Sequence, residues 1–234
     1  MLKNKDIALV TGAGGGIGAA IALELSKQNM HVIITGKTLS SLSETENNIN
    51  SNKGSCTTVQ LDMRDLSGID KLGIEIFNRW GKLDCLVSNA AILGTLGPLH
   101  HQTTEEFNDV ININLLSNHK LIRSLDFLLK KSKSPKALFL SSSVATNPKS
   151  FWGAYAISKA GLEHMIKIWA NENKNNNFSI TIANPGKTRT KMRAQAIPGE
   201  NKSNLPTPYE VAKKIVAVFF ENQNKSKTLN IYNI

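Results

Sequence analysis

The chain has 234 residues, 41% of them hydrophobic and 20% charged, which is typical of a soluble globular protein with a sizeable core. Its 28 Lys and Arg exceed 18 Asp and Glu, but the +10 formal charge is scattered, without basic runs or interleaved aromatic residues, and this argues against a nucleic acid partner. No apolar stretch reaches membrane-spanning length and the N-terminus lacks a signal-peptide pattern, so we expect a cytoplasmic protein with no membrane partner.

Apolar, β-branched runs alternate with segments of helical periodicity along the chain. The predicted strands span residues 6–11, 31–36, 57–62, 83–89, 136–142, 178–184 and 228–232. The predicted helices span residues 16–28, 39–50, 65–80, 104–130 and 208–221, and one further helix carries Tyr155 and ends near residue 173. The alternation predicts a single-domain α/β Rossmann fold over residues 1–234: a doubly wound parallel sheet of about seven strands with helices on both faces. Ligands bind such sheets at the carboxyl ends of the strands, where the strand order reverses.

A glycine-rich turn, TGAGGGIG at residues 11–18, joins the first predicted strand to the first predicted helix. Glycine lets the backbone turn tightly and approach a pyrophosphate, which the N–H groups and dipole of the helix N-terminus then stabilise. The spacing is G-x-x-x-G-x-G, and the G-x-G-x-x-G pattern fits only from Gly14, in the form that ends in Ala19. We therefore predict a dinucleotide phosphate site formed by Gly12, Gly14, Gly16, Ile17 and Gly18.

The end of the second predicted strand bears on the choice of cofactor. Sites that prefer NAD usually place an acidic residue there, against the ribose 2′-hydroxyl. This chain has Gly36-Lys37-Thr38 instead, and Lys37 suits a 2′-phosphate. We expect NADP(H) to be favoured over NAD(H), although Gly14 and Gly15 leave the glycine turn without a basic residue.

Tyr155 and Lys159 lie four residues apart in the helix that follows a hydroxyl-rich segment, Ser141 to Ser143. This spacing puts both side chains on one helix face. Because a nearby cation favours the phenolate, we expect Lys159 to lower the pKa of Tyr155 toward the range of a general acid/base.

These features together resemble the short-chain dehydrogenase/reductase family over essentially the whole chain. The motifs that carry the resemblance are TGAGGGIG, SNAA at residues 88–91, Ser142, the Tyr155-Ala-Ile-Ser-Lys159 segment, and Asn184-Pro185-Gly186 with Thr190. Within the family, SSSVATNPKSFWGAY and NPGKTRTKMRAQAIP look more like a poorly characterised bacterial oxidoreductase subgroup than like the 3-oxoacyl carrier-protein reductases.

The resemblance implies a catalytic set. Tyr155 would be the acid/base, Lys159 would lower its pKa and hold the nicotinamide ribose, and Ser142 would bind the substrate oxygen. Ser143 is a rival for Ser142, since the loop after it departs from the family spacing. Asn114 matches the asparagine that completes a proton relay through water, and Asn112 is the neighbour with which it is most easily confused.

The resemblance also implies the rest of the cofactor site. Asp62 and Met63 would border the adenine, and Asn89 and Ala90 would flank the adenosine ribose. The loop that clasps the nicotinamide amide would contain Pro185, Gly186, Thr188 and Thr190.

We therefore expect an NADP(H)-preferring oxidoreductase that interconverts a small-molecule carbonyl and an alcohol, with Tyr155 as acid/base. A 3-oxoacyl-[acyl-carrier-protein] reductase is one alternative, and a non-catalytic cofactor-binding scaffold or redox sensor is another. The family usually forms a homodimer or homotetramer, which we expect here. We expect no metal: His100 and His101 lack a third ligand at suitable spacing, and Cys56 and Cys85 fit structural thiols.

Overall fold

Seven parallel strands form one sheet in the computed structural model, which describes residues 5–174, 177–221 and 229–234. The order across the sheet is β3-β2-β1-β4-β5-β6-β7, so the strand order reverses between β1 and β4. This confirms the predicted doubly wound α/β fold, although Thr228, which begins the predicted seventh strand, lies outside the described residues. The strands are β1 (Ile7–Val10), β2 (His31–Gly36), β3 (Ser55–Gln60), β4 (Cys85–Ser88), β5 (Lys136–Leu140), β6 (Ser179–Asn184) and β7 (Leu229–Asn233).

Helices cover both faces of the sheet because its central strands β1, β4 and β5 are buried on both sides. In β1, for example, Ile7 and Leu9 join one buried cluster while Ala8 and Val10 join the other. Helices α3, α5 and α6 pack into the first cluster, and α1, α2 and α8 into the second. The helices are α1 (Gly16–Lys27), α2 (Leu39–Ser51), α3 (Leu66–Trp80), α4 (Thr104–Ile111), α5 (Ser117–Lys130), α6 (Gly153–Glu172), α7 (Lys191–Ala196) and α8 (Pro208–Glu221).

Four of the predicted strands extend too far at their carboxyl ends. Thr11, Asp62, Asn89 and Ser142 all lie just beyond the last residue of β1, β3, β4 and β5. Strand pairing stops first because each of these residues leaves the ladder to form a turn or loop at the carboxyl edge. The predicted site residues therefore lie on connections, which are free to face a ligand.

The helical stretch predicted over residues 104–130 is helical throughout, but it is not a single α-helix. Its start is as expected, because Thr103 and Glu106 form a reciprocal capping box at the N-terminus of α4. A π-helical turn, Asn112–Leu116, then separates α4 from α5. Such turns insert an extra residue into the helix and occur often at functional sites. Helix α7 and three short 3₁₀ helices were also not predicted; the latter are Leu99–His101, Ser143–Ala145 and Lys202–Asn204.

Candidate active site

A cleft with a volume of about 420 Å³ opens at the carboxyl ends of β1 and β4, where the strand order reverses. It extends from Lys37 past the glycine turn to Tyr155 and Lys159. A smaller cavity of about 120 Å³ adjoins it and contains Ser142 in its wall. Tyr155 lies in the walls of both cavities, so a group bound in either one meets the phenol.

The glycine turn is held against the end of β4. Thr11 Oγ1 accepts hydrogen bonds from the backbone N–H groups of Asn89 (3.0 Å) and Ala90 (3.1 Å). The Asn89 amide donates to the carbonyl oxygens of Thr11 and Gly12, both at 3.0 Å. A Cβ on Gly12 would lie 2.8 Å from Ala90 Cα, and one on Gly18 would overlap the Gly12 carbonyl and the Asn89 amide. Gly18 is buried behind the turn, whereas Gly12, Gly14, Gly16 and Ile17 line the cleft.

The N-terminus of α1 fits a dinucleotide pyrophosphate. Its N-cap residue is Gly15, and within the described part of the chain no side chain caps it and no acidic residue lies in its first turn. The first N–H groups of a helix have no intrahelical partner, and here they border the cleft. An anion bound there would receive these hydrogen bonds and the positive end of the helix dipole.

Four charged side chains, Lys37, Asp62, Arg64 and Asp109, form a four-charge cluster at the end of the cleft far from Tyr155. Lys37 Nζ lies 3.3 Å from Asp62 Oδ2, and its side chain is 69% exposed. Arg64 Nη1 contacts both Asp62 oxygens at 3.2 Å, while its Nε and Nη2 donate to the Asp109 carboxylate at 2.7 and 2.8 Å. The sequence reasoning named Lys37, Asp62 and Met63, which line the cleft, but missed Arg64, which lines it too.

The hydrogen bonds of the cluster alter two carboxyl pKa values. Partial burial raises the pKa of Asp62, but the bonds from Arg64 and Lys37 outweigh this and hold it below its usual value. The bidentate bond from Arg64 also lowers the pKa of Asp109. Both carboxylates therefore remain ionised at neutral pH.

Tyr155 is 7% exposed and lies in the wall of the smaller cavity together with Ser142. Burial raises the pKa of Tyr155 to about 12, and the nearby Ser142 hydroxyl opposes this rise. The predicted lowering of this pKa by Lys159 is therefore wrong for the structure. Ser143, the rival serine, is exposed and begins a 3₁₀ helix, so Ser142 is the hydroxyl beside the phenol.

Lys159 is 3% exposed, and its Nζ lies 5.9 Å from the centroid of the Tyr155 ring. The ammonium donates to the Leu140 carbonyl oxygen at 2.8 Å. Burial lowers the pKa of Lys159 to about 8, and the nearby Glu163 carboxylate opposes the fall. Helical spacing thus brings lysine and tyrosine to one cleft wall, but desolvation is the largest cause of both pKa shifts.

A buried pair beneath Lys159 was also missed. Ser141 Oγ donates to Glu163 Oε1 at 2.6 Å, and both residues are buried. Glu163 follows Lys159 by four residues on α6, so its presence on the same face was available from the spacing. The spacing did not reveal that Ser141, the first residue after β5, would contact the Glu163 carboxylate.

Asn114 lies in the π-helical turn and is fully buried, whereas Asn112 is exposed. The Asn114 side-chain oxygen accepts a hydrogen bond from the backbone N–H of Ile92 at 2.9 Å. The Asn114 amide donates to the Ile92 carbonyl oxygen and to Ser158 Oγ. Ser158 in turn donates to the carbonyl oxygen of Tyr155 at 2.7 Å. Asn114 thus ties the segment after β4 to the helix that carries Tyr155, and its role in a water relay stays a prediction.

The segment after β6 forms the wall of the cleft next to the smaller cavity. Thr188 is buried, and its hydroxyl donates to the Pro185 carbonyl oxygen at 3.2 Å. Thr190 accepts from the backbone N–H of Arg193 at 3.1 Å, which begins α7. Pro185 and Thr190 line both cavities, whereas Gly186 and Thr188 line only the smaller one.

The other candidate residues form no further site. The rings of His100 and His101 contact each other with centroids 4.3 Å apart, and no group of three or more metal-ligand residues occurs in the described ranges. Cys56 and Cys85 are free thiols, and burial raises the pKa of both, that of Cys56 to about 11. Of the helices that the structure describes, none combines the length and apolarity required to cross a bilayer.

Comparisons with known proteins agree with this geometry. The sequence model of the short chain dehydrogenase family matches residues 6–201. The chain is 34% identical over 215 residues to the uncharacterized oxidoreductase YciK of Escherichia coli strain K12, covering 90% of this chain and 84% of that protein. It superposes with a TM-score of 0.91 and 30% identity on a short chain dehydrogenase from Shigella flexneri 2a complexed with NADP, covering 99% and 98% of the two chains. A short chain dehydrogenase from Escherichia coli CFT073 complexed with NADPH also gives a TM-score of 0.91, at 29% identity over 99% and 97% of the chains.

The chain belongs to the short-chain dehydrogenase/reductase family of NAD(P)-dependent oxidoreductases. The expected likeness to a poorly characterised bacterial subgroup is confirmed by the match to YciK.

Proposed function

We propose that this protein is an NADP(H)-preferring carbonyl reductase in which Tyr155 is the acid/base. The observation that carries the proposal is that Tyr155 lies in the walls of both cavities, with Ser142 beside it in the wall of the smaller one. A carbonyl oxygen held in the smaller cavity would meet two hydroxyl donors there. A nicotinamide in the larger cavity would adjoin them.

NADPH, when bound, supplies the hydride that is transferred to the carbonyl carbon. Tyr155 then donates its phenolic proton to the carbonyl oxygen, while Ser142 hydrogen-bonds that oxygen. The raised pKa of Tyr155, about 12, supports this direction because the phenol is protonated at neutral pH and ready to act as an acid. Lys159 uses one N–H on Leu140, which leaves two donors for the nicotinamide ribose. Asn114 acts as a positioning residue through Ile92 and Ser158.

The cofactor preference rests on Lys37 and on the similar structures that hold NADP and NADPH. Lys37 lines the cleft and is the more exposed of the two cations in the four-charge cluster. A titration of the protein with NADPH and NADH, followed by nicotinamide fluorescence, tests the preference. We expect tighter NADPH binding, and tighter NADH binding would overturn this part of the proposal.

The Tyr155→Phe variant tests the chemistry, because it removes the proton donor and keeps the ring. We expect kcat to fall at least about 10³-fold with the affinity for NADPH within about threefold, since acid catalysis contributes about 10²–10⁴-fold and the phenol also orients the substrate. Tyr209→Phe, at an exposed position on α8, is the matched control. An unchanged rate in Tyr155→Phe would show that the mechanism is wrong.

The smaller cavity supports a small carbonyl compound with an apolar body. Trp152 lies with its ring centroid 6.0 Å from that of Tyr155, and Leu93, Met192 and Ala196 complete an apolar wall. Screening aliphatic and aromatic ketones and diketones with NADPH tests this substrate class. Turnover of none of them would favour the scaffold alternative.

A 3-oxoacyl-[acyl-carrier-protein] reductase remains a second candidate, supported by the basic segment beside the cleft. Lys187, Arg189 and Lys191 are all exposed there, and an acidic carrier protein would be attracted to such a surface. An acetoacetyl thioester in the same screen separates the candidates. Faster turnover of the thioester than of any free ketone would favour this second function.

We also propose a homodimer or homotetramer. Leu116 in the π-helical turn and Ile157 and Ile168 on α6 are large apolar residues that are 43–48% exposed, and burying such surface favours association. Sedimentation of the purified chain tests this, and a monomer at micromolar concentration would contradict it.

A further inference from the structure

The four-charge cluster raises a problem for a 2′-phosphate. Two cations and two carboxylates give it no net formal charge, and Lys37 is already paired with Asp62. A phosphate that recruits Lys37 takes the cation away from Asp62 and adds a further negative charge beside that carboxylate. Asp109 adds repulsion of the same sign.

Arg64 is placed to solve this problem. It contacts Asp62 through three bonds: its backbone N–H donates to Oδ1 at 3.0 Å, and Nη1 lies 3.2 Å from each carboxylate oxygen. Its other edge holds Asp109 in a bidentate pair. When Lys37 turns away, Asp62 therefore keeps a full set of contacts to a fixed guanidinium.

Lys37, in contrast to Arg64, is loosely held. Its ammonium has one carboxylate contact, at 3.3 Å, and most of its side chain is exposed. The bond from the Gln60 side-chain amide to the Lys37 carbonyl oxygen, at 2.9 Å, holds the backbone and leaves the ammonium free to turn. Of the two cations, only Lys37 can change partner without breaking a bidentate bond.

We propose that Arg64 is a specificity residue that favours NADP(H) by neutralising Asp62 and Asp109, which releases Lys37 to bind the 2′-phosphate. This inference rests on the proposed NADP(H) site and goes beyond it, because Arg64 acts through the carboxylates and not by contact with the phosphate. Arg64 is thus a positioning residue for Lys37. Without it, Asp62 retains Lys37 and repels the phosphate, while NADH, which has no charge at that position, is little affected.

The experiment measures dissociation constants of the full chain for NADPH and NADH in four variants. In Arg64→Gln we expect NADPH to bind about tenfold more weakly and NADH to change less than about twofold, as suits a partly screened charge effect. Adding Asp62→Asn to Arg64→Gln removes the repelling carboxylate, and NADPH affinity should return to within about threefold of the wild type. Asp109→Asn alone should strengthen NADPH binding by about twofold to fivefold. Arg79→Gln, whose guanidinium pairs with exposed Glu75 at 3.4 Å, is the control and should change neither constant.

The outcomes separate this inference from the function on which it rests. Tighter NADH than NADPH binding by the wild type would overturn both. A wild type that prefers NADPH, with an unchanged ratio in Arg64→Gln or equal weakening of both cofactors, would overturn only the role of Arg64. Failure of the double variant to recover NADPH binding would mean that Arg64 contacts the phosphate directly. If Arg64→Gln does not fold, Arg64→Lys keeps the charge without the bidentate bond and should lose about threefold in the same ratio, an unchanged ratio again opposing the inference.

Discussion

At one end of the cleft Tyr155 and Lys159 are 7% and 3% exposed, whereas at the other end the Lys37 side chain is 69% exposed and its charged neighbours are paired. Burial governs the first region, where it raises the pKa of Tyr155 and lowers that of Lys159. Ion pairing governs the second, where it lowers the pKa values of Asp62 and Asp109. Under the proposed function, the chemistry would take place where water is excluded, and the cofactor phosphate would bind where salt can screen it.

This contrast predicts the largest single-residue effect, after loss of the Tyr155 phenol, at Ser142. Removing one preorganised donor in a dry site costs about 10²–10³-fold in rate. We expect Ser142→Ala to lower kcat/KM by about 10²-fold for a ketone identified in the substrate screen. Ser143→Ala is the matched control, because Ser143 is exposed, and it should stay within about twofold. Equal losses in the two variants would place the substrate oxygen elsewhere.

The lowered pKa of Lys159 predicts a pH-dependent stability. Between a folded value of about 8 and the ordinary value of 10.5, the unfolded chain holds a proton that the folded chain has released, so stability rises with pH in this window. The full gap corresponds to about 3 kcal/mol. Urea unfolding of the wild type and Lys159→Met should show that the wild type gains about 2 kcal/mol relative to the variant from about pH 7 to about pH 9.5.

The matched control for that measurement is Lys71→Met, at an exposed position on α3. Its unfolding free energy should run parallel to that of the wild type over the same range. Parallel curves for Lys159→Met as well would show that the Lys159 ammonium is not desolvated in the folded state.

Glycine substitutions test the packing of the glycine turn, which lies between the two ends of the cleft. A Cβ on Gly18 would overlap the Gly12 carbonyl and the Asn89 amide, whereas one on Gly15 would meet no described atom within 4 Å. We expect Gly18→Ala to cost about 1–3 kcal/mol of stability, as overpacking does. Gly15→Ala should change stability by less than about 0.5 kcal/mol. Chemical denaturation measures both, and equal costs would contradict the close contact at Gly18.

Much of this architecture was predictable because local patterns specify it. The alternation of apolar strands with helices gives the sheet. The motif residues Gly12, Asn89 and Ser142 lie on connections at its carboxyl edge, and Tyr155 lies in the first turn of α6. The sign of the Tyr155 pKa shift was not predictable, because spacing along a helix gives the neighbour but not the degree of burial.

Other features depend on contacts between distant parts of the chain. Arg64 bonds Asp109 across 45 positions, and Ser141 bonds Glu163 across 22, so neither pair has a sequence pattern. The π-helical turn at Asn114 is similar, since its side chain bonds Ile92 and Ser158 on two other segments. Residue type and periodicity predict elements well, but they do not predict which polar groups meet between elements.

The smallest predicted effect is that of ionic strength, which should act on cofactor binding at one end of the cleft and not on the chemistry at the other. Raising the salt concentration from about 0.05 M to about 0.5 M should weaken NADPH binding about threefold more than NADH binding, because the phosphate contact at Lys37 is exposed and screened. In Lys37→Gln this difference between the cofactors should disappear. With NADPH and substrate saturating, kcat should change less than about 1.5-fold, because Tyr155 and Lys159 are shielded from mobile ions. If kcat depended on salt and cofactor binding did not, the catalytic end of the cleft would be the solvent-exposed one and the cofactor end the shielded one, contrary to this prediction.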